Sequence, residues 1–139
     1  FLQGVIKDIN DWKLTATIAV WGLTYKPGTN TLRRSLAVEL CNWLLEKGAL
    51  LQVHDPAIND LPDNWCGLVT RKDTAFEALE QADVLIVATE WPQYKKINAK
   101  DLVIRKKKLV LVDTNRFVQH LSMLPGVEYI AVGFPNKIK

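Results

Sequence analysis

Two cysteines and two histidines in 139 residues leave little material for a metal cluster or a disulfide framework. Cys41 falls among apolar residues of a predicted helix and Cys66 stands beside Trp65 in a loop, so both read as reduced, structural thiols. His54 and His120 are isolated from any carboxylate or cysteine pattern, which argues against a metal or general-base role. Apolar runs of membrane-spanning length are missing, and so is a signal peptide; with the unpaired cysteines this reads as a cytoplasmic protein without a membrane partner. Charge of one sign is scarce as well, the formal net charge being +3. The run Arg105-Lys-Lys-Lys108 has no interleaved aromatics and reads as solvated surface, which argues against a nucleic-acid partner. Neither an internal repeat nor a low-complexity segment is present.

What is there is globular: 48% of the residues are hydrophobic and 24% charged. The length suits one domain that buries roughly two-thirds of the surface exposed by the unfolded chain. Phe1-Leu-Gln-Gly-Val-Ile-Lys-Asp-Ile9 is amphipathic, and residues 1–14 read as the end of an upstream helix and a linker, leaving 15–139 as the domain.

Apolar runs and helical patterns alternate along that domain. Thr17-Ile-Ala-Val-Trp21 is the near-continuous run of a strand covered on both faces. Ser35 caps a predicted helix reaching about Lys47, with Val38, Cys41, Leu44 and Leu45 on one face and Gly48 as its stop. Leu50 to His54 is a second strand, ended by Asp55-Pro56, and Ala57 to Asn64 reads as a surface loop. A third strand is expected near Leu68 and Val69, a short helix over Ala75 to Gln81, and further strands over Asp83 to Thr89, Lys108 to Asp113 and Val127 to Val132. The predicted fold is α/β, a Rossmann-like three-layer sandwich with a mainly parallel sheet of five or six strands. Right-handed crossovers bring the loops Gly22 to Ser35, His54 to Ala57, Thr89 to Gln93 and Asp113 to Phe117 to one edge, where ligands of open α/β sheets bind.

The first of these loops carries the most chemistry. Lys26, Arg33 and Arg34 stand between a buried strand and the start of a helix, where unpaired backbone N–H groups and the dipole favour an anion. Gly22-Leu-Thr-Tyr-Lys-Pro-Gly28 does not fit G-x-G-x-x-G, so an independent dinucleotide site is not expected, and no Gly-Lys-Ser/Thr makes it a P-loop. Trp21 and Gly22 stand where a phospho-receiver domain needs acidic residues. A phosphate compound is the expected ligand.

Gly22-Leu-Thr-Tyr-Lys-Pro-Gly-Thr-Asn-Thr-Leu-Arg-Arg-Ser35 resembles the G-x-x-[FY]-K-x-x-T-x-D-x-R-x-S signature of the C-terminal domain of nucleotide-sugar dehydrogenases. Glu46-Lys-Gly-Ala49, His54-Asp-Pro56, Ala78 to Asp83, Thr89-Glu-Trp91 and Asp113-Thr-Asn-Arg116 keep the family order, so the resemblance covers about Thr15 to Gly133. It implies an N-terminal NAD-binding domain and a central helix upstream, a UDP-sugar substrate, and a homodimer formed through that helix. It also implies oxidation of the sugar's primary alcohol to a carboxylate by NAD, through an upstream cysteine. By the same resemblance Tyr25 and Lys26 contact the UDP-sugar, Arg33 reaches the NAD side of the cleft and Arg116 contacts the sugar nucleotide. Cys41 and Cys66 match no catalytic position, which implies that the chain supplies binding and no catalytic residue. Thr31 replaces the family's usual Asp and Leu36 its Pro, and Arg34 makes the loop more cationic. Two other readings remain open at this point: a freestanding nucleotide- or phosphate-binding module, and an interaction domain that has lost its ligand.

Overall fold

The computed structural model describes residues 17–65, 67–98 and 108–131. Residues 1–14, Cys66, positions 105–107 of the basic run and the end of the last expected strand therefore lie outside the described residues.

Six strands form one sheet: β1 (Thr17–Trp21), β2 (Leu50–His54), β3 (Val69–Arg71), β4 (Val84–Val87), β5 (Leu109–Val112) and β6 (Val127–Ile130). Their order is β3-β2-β1-β4-β5-β6 and every pairing is parallel. Strand order reverses between β1 and β4, which defines the crevice at their carboxyl ends. At that point the ladder splays, because the amides of Ala88 and Thr89 both donate to the Trp21 carbonyl, at 2.9 and 3.2 Å. This shared acceptor ends β4 at Val87, before the Thr89 boundary expected from its apolar run.

Each face of the sheet has its own core. Helix α1 (Leu36–Glu46) covers one face, where Ala37, Leu40, Cys41 and Leu44 are buried against β1 and β2. The expected face is thus rotated: Val38 and Leu45 flank it half-buried, since the i, i+3, i+4, i+7 positions counted from Ala37 point at the sheet. Ser35 caps the helix by accepting from the Val38 amide at 3.2 Å, and Gly48 beyond it takes φ +88°. Ile58 and Trp65 belong to this core, so the segment read as a surface loop is anchored from within, with the Trp65 indole donating to Asn42 Oδ1 at 2.7 Å.

The opposite face is covered by shorter pieces. Ala75, Ala78, Leu79 and Ala82 are buried there at helical spacing, but the chain makes only a 3-10 turn over Glu77–Leu79 in place of the expected helix. So short a helix gains few bonds against its nucleation cost, and Gln81 takes a left-handed φ of +60° to turn the chain into β4. Tyr94, Val118 and Leu121, from the segments after β4 and β5, complete that core. The result is three layers.

Candidate functional site

The loop from Gly22 to Ser35 leaves β1 at the crevice and has a buried stem and an exposed tip. Gly22 takes φ +94°, and a Cβ there would come within 2.6 Å of the Thr89 nitrogen, so glycine permits the close approach of the loops after β1 and β4. Leu23 and Thr24 are buried, and Ser35, also buried, donates its hydroxyl to the Leu23 carbonyl at 2.5 Å. The tip closes where the Tyr25 amide donates to the Thr31 carbonyl at 3.0 Å.

Beneath that stem lies Asp55, 1% exposed at the end of β2. Its Oδ2 accepts from the amides of Leu23 (2.7 Å) and Thr24 (3.0 Å) and from the Trp91 indole (3.1 Å). Its Oδ1 accepts from the Ala57 amide at 2.8 Å. One carboxylate thus joins the loops after β1, β2 and β4. Burial of such a charge is tolerated because N–H donors face both oxygens. Trp91 holds its own loop down onto this acid.

Asp113, fully buried at the end of β5, serves its own loop. It accepts from the amides of Phe117 (2.9 Å) and Val118 (2.8 Å) and from the Tyr129 hydroxyl (2.7 Å). Burial and the neighbouring Asp113 charge together push the Tyr129 phenol well above its usual range, keeping it a donor.

Tyr25, Lys26 and Arg33 share the tip and are exposed, Tyr25 by 56%. The Lys26 carbonyl accepts from the hydroxyls of Thr24 (3.1 Å) and Thr29 (2.9 Å), which fixes the backbone from which its ammonium projects. Arg33 donates its amide to Thr31 Oγ1 at 3.1 Å. Arg34 is exposed with φ +60°. Arg116 is exposed after β5, also left-handed at φ +58°. Two left-handed arginines at one sheet edge are backbone strain of about 1–3 kcal/mol each, of the sort that collects at ligand sites. Arg116 lies two strands from β1 in the sheet order, about 10 Å at the usual strand spacing, so the edge carries cations on both sides of the crevice.

His54 is buried with Nδ1 3.1 Å from the Tyr94 hydroxyl, which donates to the His54 carbonyl at 3.2 Å. Burial lowers its pKa, with Arg71 adding to the effect and Asp55 and Asp73 opposing it. Burial also pushes the Cys41 thiol up to about 12, which leaves it inert as a nucleophile. Among the described residues no group of three or more His, Cys, Asp or Glu is placed to hold a metal ion, and no helix is long and apolar enough to cross a membrane. Reasoning from sequence took Asp55 as a turn residue and gave Thr24 and Thr89 no role. Thr89 donates its hydroxyl to the Thr24 carbonyl at 2.8 Å, a bond between residues far apart in the chain that no local pattern announces.

The sequence profile of the UDP-glucose/GDP-mannose dehydrogenase family, UDP binding domain, matches residues 19–120. The chain is 32% identical over 127 residues to a UDP-glucose 6-dehydrogenase of Pseudomonas aeruginosa, covering 86% of the chain and 28% of that protein. It is 41% identical over 99 residues to a UDP-N-acetyl-D-mannosamine dehydrogenase of Yersinia pestis, covering 70% of the chain and 22% of the relative. A UDP-glucose dehydrogenase structure from Pyrobaculum islandicum superposes with a TM-score of 0.72 at 29% identity, over 96% of this chain and 29% of that one. The chain spans less than a third of the length of these relatives.

Proposed function

The chain belongs to the UDP-glucose/GDP-mannose dehydrogenase family, whose UDP binding domain it matches, and from that premise we propose that it grips the diphosphate of a UDP-sugar for an NAD-dependent 6-dehydrogenase. In this reading residues 15–139 are the C-terminal substrate domain and 1–14 end the helix that joins it to the remainder of the enzyme. The observation that supports it most is Lys26, an exposed ammonium on a rigid stem at the point where strand order reverses. Tyr25 borders the nucleotide, Arg116 meets the sugar nucleotide from the far side of the crevice, and Arg33 faces the cofactor. Remote contacts of this kind hold the reacting carbon against its oxidant, so binding energy spent on the nucleotide is recovered as orientation.

NAD belongs to a neighbouring domain in this proposal. The loop after β1 lacks the glycine fingerprint, and Asp55, which occupies the ribose-binding position of a dinucleotide fold, has its oxygens engaged by four donors. These residues do not suit an independent dinucleotide site. NAD would supply the hydride acceptor; this chain supplies only Arg33 toward it. The intact enzyme is a cytoplasmic homodimer in this reading, consistent with a buried free thiol at Cys41.

Thermal unfolding of the intact protein tests the proposal. A ligand at 100 times its Kd adds about 2.7 kcal/mol to the stability of the folded state. UDP is expected to raise Tm more than uridine or GDP does, and Lys26→Ala to remove most of that gain. Equal shifts with UDP and uridine would overturn the phosphate role of Lys26.

A further inference from the structure

The ammonium of Lys26 is exposed, yet its backbone is tied to a buried acid through one intervening residue. Thr24 offers its amide to Asp55 Oδ2 at 3.0 Å, its hydroxyl to the Lys26 carbonyl at 3.1 Å, and its carbonyl to the Thr89 hydroxyl at 2.8 Å. All three of its polar groups are therefore committed, and each points to a different segment. Asp55 Oδ2 simultaneously accepts from Leu23 and from Trp91, so the acid sets the height of the loop after β1 relative to the loop after β4. Local turn formation needs only the Asp55 Oδ1 bond to the Ala57 amide; the three donors on Oδ2 come from residues 31 to 36 positions away. A turn residue alone does not account for that oxygen.

We infer that Asp55 is the positioning residue of the diphosphate grip, holding Lys26 at its working height through Thr24 and coupling it to the loop that carries Trp91. The inference rests on the functional reading above for its ligand, and on hydrogen bonds within the chain for its mechanism. An aspartate is required there because N–H donors face both oxygens, three on Oδ2 and one on Oδ1. Asparagine must turn its NH2 group toward one of the two sets and gives up the charge that holds the other, which weakens the hold on the loop.

The test is a double-mutant cycle on UDP affinity in the intact protein, with amide exchange of the unliganded protein beside it. Asp55→Asn is expected to weaken UDP about tenfold in the parent and less than about twofold in the Lys26→Ala background, since two residues acting through one contact are not additive. The amides of Leu23 and Thr24 are expected to lose protection while those of α1 keep theirs. A lowered Tm with unchanged UDP affinity, or equal losses in both backgrounds, would overturn the inference, because a merely structural acid gives those results. Should Asp55→Asn not fold, Thr24→Val removes the hydroxyl bond to the Lys26 carbonyl and leaves the Thr24 amide on Asp55. It is expected to weaken UDP about threefold, and unchanged affinity would end the idea. If the parent protein binds no UDP, the functional reading fails, and the exchange data alone decide whether Asp55 holds the loop.

Discussion

Asp55 and Asp113 lie buried at the carboxyl ends of β2 and β5, whereas Lys26, Arg33, Arg34 and Arg116 stand exposed on the loops of the same edge. The buried row consists of acids with several donors on each carboxylate, and the exposed row of cations whose backbone, at Arg34 and Arg116, is left-handed. Acids suit the lower row because the amides converging there are donors and need acceptors. Cations suit the upper row because solvent hydrates them there. The lower row is therefore expected to govern stability, and at Asp55 the placement of Lys26 as well, while the upper row is expected to govern binding directly, and substitutions can break that division.

The largest loss is expected from Gly22→Ala. A methyl group there collides with Thr89 and the residue must hold a φ of +94°, so left-handed strain and overpacking add to about 4 kcal/mol. Urea unfolding of the variant measures it, and a loss below about 1 kcal/mol would mean that the β1 and β4 loops separate freely. Such a result would erase the distinction between a fixed stem and an adaptable tip.

Asp113→Ala comes next. It leaves the amides of Phe117 and Val118 and the hydroxyl of Tyr129 without their acceptor, at about 3 kcal/mol, while Tyr129→Phe removes one of these bonds and costs about 1. Chemical denaturation of both variants gives the ratio. The comparison with Asp55 sharpens here: the amide donors to Asp113 come from its own loop, whereas the donors to Asp55 Oδ2 come from two others, the amides from the loop after β1 and the indole from the loop after β4. Asp113→Ala is accordingly expected to loosen the Arg116 loop and leave the amides of Leu23 and Thr24 protected, as hydrogen exchange would record.

The upper row was readable in the sequence and the lower row was not. Lys26, Arg33 and Arg34 declare themselves by charge between an apolar run and a capped helix, and the strand ends at Trp21 and His54 fall where β-branched and apolar runs stop. The parallel sheet and Ser35 as helix cap follow from the same local patterns. Asp55 and Asp113 carry local signals of a turn only. Their further partners, Trp91 for one and Tyr129 for the other, lie 36 and 16 residues away and become neighbours through strand order. The 3-10 turn at Glu77–Leu79 was missed for a related reason, since its buried spacing is helical and only the need to enter β4 cuts it short. Periodicity reports which face is buried, whereas tertiary closure decides how tightly the chain winds.

The smallest effect belongs to a buried group that is neither acid nor cation at neutral pH. His54 sits beneath the edge against Tyr94, and burial holds its pKa below the ordinary value of 6.5, with Asp55 and Asp73 pulling the other way. In the unfolded chain the imidazole takes up a proton near pH 6.5, while in the folded protein it does so only at lower pH. The unfolded state therefore holds more protons between the two values, and stability rises with pH there. The contribution is fully present above pH 6.5 and is lost as pH falls through the folded value, with a slope of at most about 1.4 kcal/mol per pH unit, the limit set by one proton. His54→Asn, which keeps an amide near the ring Nδ1, is expected to flatten that part of the curve of unfolding free energy against pH. Were the parent and the variant to show the same slope between pH 7.5 and 5.5, His54 would behave as a solvated group, and the lower row would be wetter than its hydrogen bonds imply.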